Sequence, residues 1–165
     1  MAVGNIKFPD MKKVTGISLG TSYAGIKQAE SDDILVVEMA ERTTCAGVFT
    51  QNAFCAAPVH IAKQHMQVSS QRAPRWLLIN SGNANAGTGK QGMVDGMTCC
   101  GSLASVVSGS AEQVLPFSTG VIGEKLPVDK IEQALAKAVK TLQEDNWDNA
   151  AHAIMTTDTF AKGAS

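Results

Sequence analysis

Three short segments hold the side chains best suited to chemistry. The first runs from Asn80 to Gly89, Asn-Ser-Gly-Asn-Ala-Asn-Ala-Gly-Thr-Gly. Small residues let backbone N–H groups come close to a ligand, and Asn side chains can donate hydrogen bonds or order a loop. Asn83 and Asn85 are its candidate ligand contacts. The run lacks the closing Gly-Lys-Ser/Thr of a phosphate-binding loop. It also departs from Gly-x-Gly-x-x-Gly followed by an acidic residue on a strand. A tight, Asn-stabilised connection from strand to helix explains the same composition. The second segment, Phe117 to Gly123, contains Ser118-Thr119-Gly120. Acyl transfer passes through a tetrahedral intermediate whose oxygen becomes negative, and donors must be aimed at that oxygen. The Thr119 hydroxyl beside the Gly120 N–H is a suitable pair, although Ser-Thr-Gly also occurs in ordinary turns. The third segment, Met155-Thr156-Thr157-Asp158-Thr159, offers three hydroxyls and a carboxylate that can grip a polar substrate such as an amino acid. Capping and turn formation use the same residues. No Ser-His-Asp arrangement follows from spacing, because triad members are gathered by the fold.

These segments need elements to position them. The opening, Asn5 to Ala24, mixes Gly, Pro and Lys and has weak strand character. Asp32-Asp33 closes a polar turn, and Ile34–Met39 then reads as a buried strand. Ala46–Phe49 and Val59–Ala62 are further strand candidates, separated by polar, Gly-bearing stretches. Arg75–Asn80 is a compact apolar strand running directly into the Asn-rich segment, and a helix is expected over Met97–Val107. Val114–Phe117 reads as a short strand ending at Ser118-Thr119-Gly120. After Pro127 the period becomes helical, with Ile131, Leu135, Ala138 and Leu142 on one face and Asp129 near the positive end of the helix dipole. A second helical stretch, Trp147–Met155, leads into the threonines. Strands and helices interleave, which makes the class α/β or α+β.

Composition narrows the function classes. The 165 residues suit one domain or a large piece of one. The net charge is −1 and the basic residues are scattered, so the clustered footprint of a nucleic-acid binder is missing. No apolar run approaches the ~20 residues that span a bilayer, and Met1–Lys13 lacks the order of a signal peptide. The expectation is a cytoplasmic protein. Cys45, Cys55, Cys99 and Cys100 make neither a Cys-x-x-Cys pair nor a disulfide framework. His60, His65 and His152 lack metal-ligand spacing, so no metal is expected.

Taken in order, Asn80–Ala86, Ser118–Gly123 and Ala153–Thr159 resemble the corresponding motifs of the ornithine acetyltransferase (glutamate N-acetyltransferase) family. Gly47–Asn52 and Ala56–Val59 also fit the family's early region, so the similarity covers nearly the whole chain. The resemblance implies an enzyme of arginine biosynthesis that moves an acetyl group from N-acetylornithine to glutamate. Some members also take acetyl-CoA as donor, and no cofactor is implied. The precursor cleaves itself, and the N-terminal threonine of the second chain becomes the nucleophile of a ping-pong cycle, its free amine serving as base. Within this chain the resemblance implies that Thr119 and Gly120 form the oxyanion hole and that Thr156 binds substrate. Thr157, Asn83 and Asn85 are weaker candidates. The implied fold is a layered α/β sandwich of the self-processing, N-terminal-threonine acetyltransferase type, incomplete in this chain. Residues 1–165 are then the N-terminal, α-chain portion of one acetyltransferase domain. The implied partner is the β chain of the same precursor, in an α2β2 heterotetramer.

The family's later Gly-Ile-Ala-Lys-Gly segment and its Ala-Thr-Met cleavage step do not occur before Ser165. The expectation is therefore a truncated chain, inactive alone, with sheet edges that await strands of the missing part. Two rival readings accompany this one. A self-processing amidase or aminopeptidase would pass the acyl group to water instead of glutamate. A non-enzymatic binding module would use the Asn/Gly loop alone. A thiol-redox role for Cys99-Cys100 is weaker, since nothing nearby in sequence lowers either pKa.

Overall fold

Apolar residues on both sides of the strands dictate a sheet covered on both faces. In the computed structural model, which describes residues 7–28, 30–67 and 73–165, four strands form one sheet. They are β1 (Ile17–Ser22), β2 (Ile34–Met39), β3 (Trp76–Asn83) and β4 (Val114–Val121), in the order β1-β2-β3-β4. β1, β2 and β3 pair antiparallel, whereas β3 and β4 pair parallel. A parallel return needs a long crossover, and helix α2 (Gly89–Val106) supplies it. Because side chains alternate along a strand, Ile34, Val36, Trp76, Leu78 and Val114 point to one side. There they meet Ile61, Cys99, Cys100, Leu103, Ile131 and Leu135 from three helices: α1 (Ala57–Met66), α2 and α3 (Val128–Lys140). Leu19, Leu35 and Val37, with the half-buried Leu77 and Ile79, point the other way against α4 (Trp147–Ala153). The result is a layered α/β arrangement with three helices on one face and one on the other.

α3 follows its sequence pattern: Ile131, Ala134, Leu135 and Ala138 are buried, with Asp129 in the first turn and Lys137 and Lys140 in the last. Those charges complement the helix dipole. α1 is pinned to the sheet by His65, whose Nδ1 lies 2.7 Å from the Val114 carbonyl oxygen and must donate to it.

Four local expectations are corrected. Val59–Ala62 is helical, inside α1. Its burial falls on Ala57, Pro58, Ile61, Ala62 and His65, the spacing of one helix face, and Pro58 stands at the helix start where its missing N–H costs nothing. Four apolar-rich residues are too few to tell the two periods apart. Ala46–Phe49 is irregular chain, and Val48 is fully exposed, so this run joins no sheet. α2 begins at Gly89, eight residues before Met97, because Gly92 and Gly96 depress helix propensity on paper while letting the helix approach its neighbours closely. Finally, β3 runs on to Asn83 and β4 to Val121, past the strand ends expected at Asn80 and Phe117. The opening segment resolves into β1; its first residues, Asn5 and Ile6, lie outside the described residues.

Candidate active site

Parallel strands bring their C-terminal ends to the same sheet edge, the usual place for ligands in α/β folds. Here those ends are Ser81–Asn83 and Thr119–Val121. Thr119 stands opposite Ser81 and Gly120 opposite Gly82, after which a bulge lets Asn83 pair with both Thr119 and Val121. Gly82 and Gly120 have φ of +101° and +137°, which side-chain-bearing residues rarely adopt. A Cβ on Gly120 would sit 2.3 Å from the carbonyl carbon of Gly82, and one on Gly82 would sit 2.9 Å from Cγ2 of Ile26. Two glycines facing each other are thus a steric requirement of the bulge. Thr119 is half-buried, and Gly120 and Val121 are exposed.

Asparagine amides hold this edge in shape. The Ser118 hydroxyl donates to Asn80 Oδ1 (2.6 Å), and Asn80 Nδ2 donates to the Asn83 carbonyl (2.8 Å). Asn83 Nδ2 donates to the carbonyls of Glu124 and Lys125 (3.2 Å each), while its Oδ1 accepts the Asn85 N–H (2.8 Å). Asn85 Nδ2 donates to the Gly92 carbonyl (2.9 Å) and its Oδ1 accepts the Thr88 hydroxyl (2.7 Å). Asn83 and Asn85 are 2% and 1% exposed. Their polar atoms bond within the chain, so what these two amides do here is fix the chain between β3 and α2 and the exit of β4.

The third motif lies beyond α4, where Thr156, Thr157, Asp158 and Thr159 are exposed. It is tied to the first two through Ser81, the strand partner of Thr119, whose hydroxyl donates to the Ala153 carbonyl at 2.5 Å. Sequence reasoning assigned no role to Ser81, and it missed Lys27 altogether. Lys27 Nζ lies 3.4 Å from each of the carbonyls of His152, Ala153 and Met155. The Lys27 loop is itself anchored by Asp33, a wholly buried carboxylate. Asp33 accepts the backbone N–H groups of Ala24 (2.7 Å), Ile26 (2.6 Å) and Lys27 (3.2 Å). The available signal was an Asp at the head of an apolar strand, after a Gly-bearing loop, where such a side chain commonly ties down backbone. Burial pushes the Lys27 ammonium below its ordinary pKa, while Asp33 and then Asp32 oppose that shift.

Other candidate chemistry is not gathered here. Cys99 and Cys100 are buried in α2, and burial pushes both thiols up to about 12, with Glu132 and then Asp95 adding to the effect on Cys99. Neither supplies a thiolate near neutral pH, which removes the basis of a redox role. Among the described residues, no three His, Cys, Asp or Glu side chains gather as metal ligands do, and no helix is long and apolar enough to cross a membrane. The end of the sheet places Thr119 and Gly120 as neighbours, half-buried and exposed, with a polar turn of three threonines tethered through Ser81 to the neighbouring strand. That suits donation to a carbonyl oxygen and the gripping of a polar molecule.

Comparison with known proteins bears on this reading. An arginine biosynthesis bifunctional protein ArgJ from Methylococcus capsulatus is 58% identical over 151 residues, 92% of this chain. The protein of the same name from Pseudomonas fluorescens is 52% identical across the full chain. The chain spans only 36% and 40% of the lengths of these two relatives. Among solved structures, an ornithine acetyltransferase from Mycobacterium tuberculosis, in complex with ornithine, superposes with a TM-score of 0.82 at 33% identity, covering 91% of this chain and 89% of that one. An arginine biosynthesis bifunctional protein from Bacillus halodurans gives 0.74 at 29% identity, covering 88% and 74%. A family model described as the ArgJ family matches residues 18–165, and the chain belongs to that family.

Proposed function

We propose that this chain is the oxyanion-binding, substrate-gripping part of an acetyltransferase that moves an acetyl group from N-acetylornithine to glutamate in arginine biosynthesis. The nucleophile in this reading is a threonine beginning a second chain cut from the same precursor. Its hydroxyl attacks the acetyl carbonyl, a tetrahedral intermediate forms, and ornithine leaves with its amine protonated. Glutamate's amine then takes the acetyl group from the acetyl-threonine. The Thr119 hydroxyl and the Gly120 N–H stabilise the oxygen that becomes negative at each step, and Thr156 holds the amino-acid portion of the substrate. One such donor lowers the barrier by about 3 kcal/mol, roughly 100-fold in rate. Asn83 and Asn85 act by shaping the edge, and Thr157 is a second hydroxyl beside Thr156.

The observation that carries this reading is the placement of Thr119 and Gly120 at the accessible end of β4, in a bulge that only glycine permits. The likeness to an ornithine acetyltransferase solved with ornithine supports the choice of substrate, and relatives named for arginine biosynthesis support transfer over hydrolysis. The reading further takes the enzyme to be cytoplasmic and an α2β2 heterotetramer. It needs no cofactor, binds no nucleic acid, and admits acetyl-CoA as a second donor.

Intact-mass spectrometry on the product of the uninterrupted reading frame tests it. The expected result is a co-purifying second polypeptide beginning with threonine, which gains one acetyl group after N-acetylornithine is added. A single unprocessed species, or two chains of which neither is acetylated, overturns the proposal.

A further inference from the structure

The Thr119–Gly120 edge and the turn after α4 are far apart in sequence, and a single loop both packs against Gly82, the strand partner of Gly120, and reaches that turn. Residues 24–27 have no regular structure, yet their backbone is fixed by the three N–H bonds to buried Asp33. On one side this loop lies against Gly82: a Cβ there would come within 3.0 Å of the Ile26 carbonyl carbon and of the Lys27 nitrogen. Gly82 is in turn the strand partner of Gly120. On the other side the Lys27 side chain reaches the last turn of α4, 125 to 128 residues further along the chain.

α4 is only seven residues long, and the last carbonyls of a helix lack i+4 partners. His152 O accepts the Met155 N–H at 3.3 Å, and two side chains from outside add to the capping. Ser81 donates to Ala153 O, and Lys27 sits in a cradle of His152, Ala153 and Met155 carbonyls. At 3.4 Å each, these are three long contacts shared by one cation, suited to the negative end of a helix dipole. Asp33 spends its oxygens on backbone N–H groups, including that of Lys27 itself, which leaves the ammonium directed at the carbonyls.

We propose that Lys27 is a positioning residue of the acetyl-transfer reaction, holding the end of α4, and with it Thr156, at a fixed place relative to the Gly82–Gly120 pair. The inference rests on the reading of Thr119 and Thr156 given above. In this role Lys27 works through the carbonyls of His152, Ala153 and Met155 and not by contact with the acetyl group or the nucleophile. It acts by keeping the substrate grip in register with the oxyanion donors, where small misplacements cost rate or affinity.

The test uses the complete two-chain enzyme and steady-state kinetics with N-acetylornithine for Lys27→Met, Lys27→Arg and Thr156→Ala. Lys27→Met keeps the stem and removes the cation; its expected effect is a KM raised about tenfold with kcat changed less than about threefold, and Lys27→Arg should return KM to within about threefold of the parent. A Lys27→Met enzyme whose KM stays within about twofold overturns the inference. So does a KM rise that Lys27→Arg fails to reverse when both variants lose thermal stability equally, since that is general structural damage. If Lys27→Met proves insoluble, Lys27→Ala, which also removes the donor, takes its place under the same criteria. Thr156→Ala separates the two levels. If it leaves KM unchanged, the reading of Thr156 fails and the inference falls with it. If it raises KM while Lys27→Met does not, only the inference is lost.

Discussion

Gly120 and the residues around it show how little freedom the edge allows. With φ at +137° and the Gly82 carbonyl carbon 2.3 Å from any added Cβ, a side chain at position 120 meets backbone, which has no rotamer to yield. Gly120→Ala is expected to cost about 3 kcal/mol or more, read as a shift in the urea midpoint of the purified protein; a shift below ~1 kcal/mol contradicts the geometry. The thiols of α2 give a second residue-scale prediction. Cys99 and Cys100 keep their protons up to about 12 when folded, against an ordinary 9.0. Iodoacetamide at pH 8 should therefore spare both until the protein is unfolded. By linkage, the stability these raised values contribute is fully present below pH 9 and is lost as pH climbs from 9 toward about 12. Fast alkylation of either thiol in the native protein contradicts the burial. Thr119 and Gly120 stand out in the sequence as a hydroxyl beside a glycine N–H, whereas Thr156 stands out only through the family motif it belongs to. Ser81 and Lys27 could not be read so, because what they do depends on carbonyls more than 70 residues away.

Among the elements, legibility tracked the strength of each periodic pattern. Ile34–Met39 and the helix after Pro127 carry unambiguous apolar patterns and sit where the sequence places them. Val59–Ala62 and Ala46–Phe49 are short apolar runs whose state is decided by what they pack against: the first lies within α1, and in the second Val48 is exposed while Phe49 sits under Lys63. The glycines of α2 concealed its first half, since local propensity says nothing of the space a helix needs beside Asn85. Two predictions belong at this scale. Leu135→Ala removes a wholly buried side chain from α3 and should cost about 2–5 kcal/mol. Asn83→Ala strands two carbonyls and one backbone N–H at the β4 exit and should cost about 1–3 kcal/mol by denaturant titration, whereas Thr157→Ala, at an exposed position, should stay within about 0.5 kcal/mol. Equal effects for Asn83 and Thr157 contradict the structural role given to the asparagine.

For the whole molecule, the sheet carries three helices on one face and the short α4 on the other, with β1 and β4 at its edges. Phe117, Val121 and Ile122 on and beyond β4 are exposed apolar residues beside the candidate oxyanion pair. A chain that spans 36–40% of its relatives' length and carries Thr119 and Gly120 at such an edge fits the proposal of a nucleophile supplied from elsewhere. On the proposal above, Thr119 and Gly120 stabilise the oxyanion of acetyl transfer. Its most direct test follows acetyl-enzyme formation by rapid-quench intact-mass spectrometry, comparing the complete enzyme with its Thr119→Ala variant after mixing with N-acetylornithine. Acetylation slowed by about 100-fold or more, with substrate affinity largely kept, is the expected result. An unchanged acetylation rate would contradict it and remove Thr119 from the oxyanion hole.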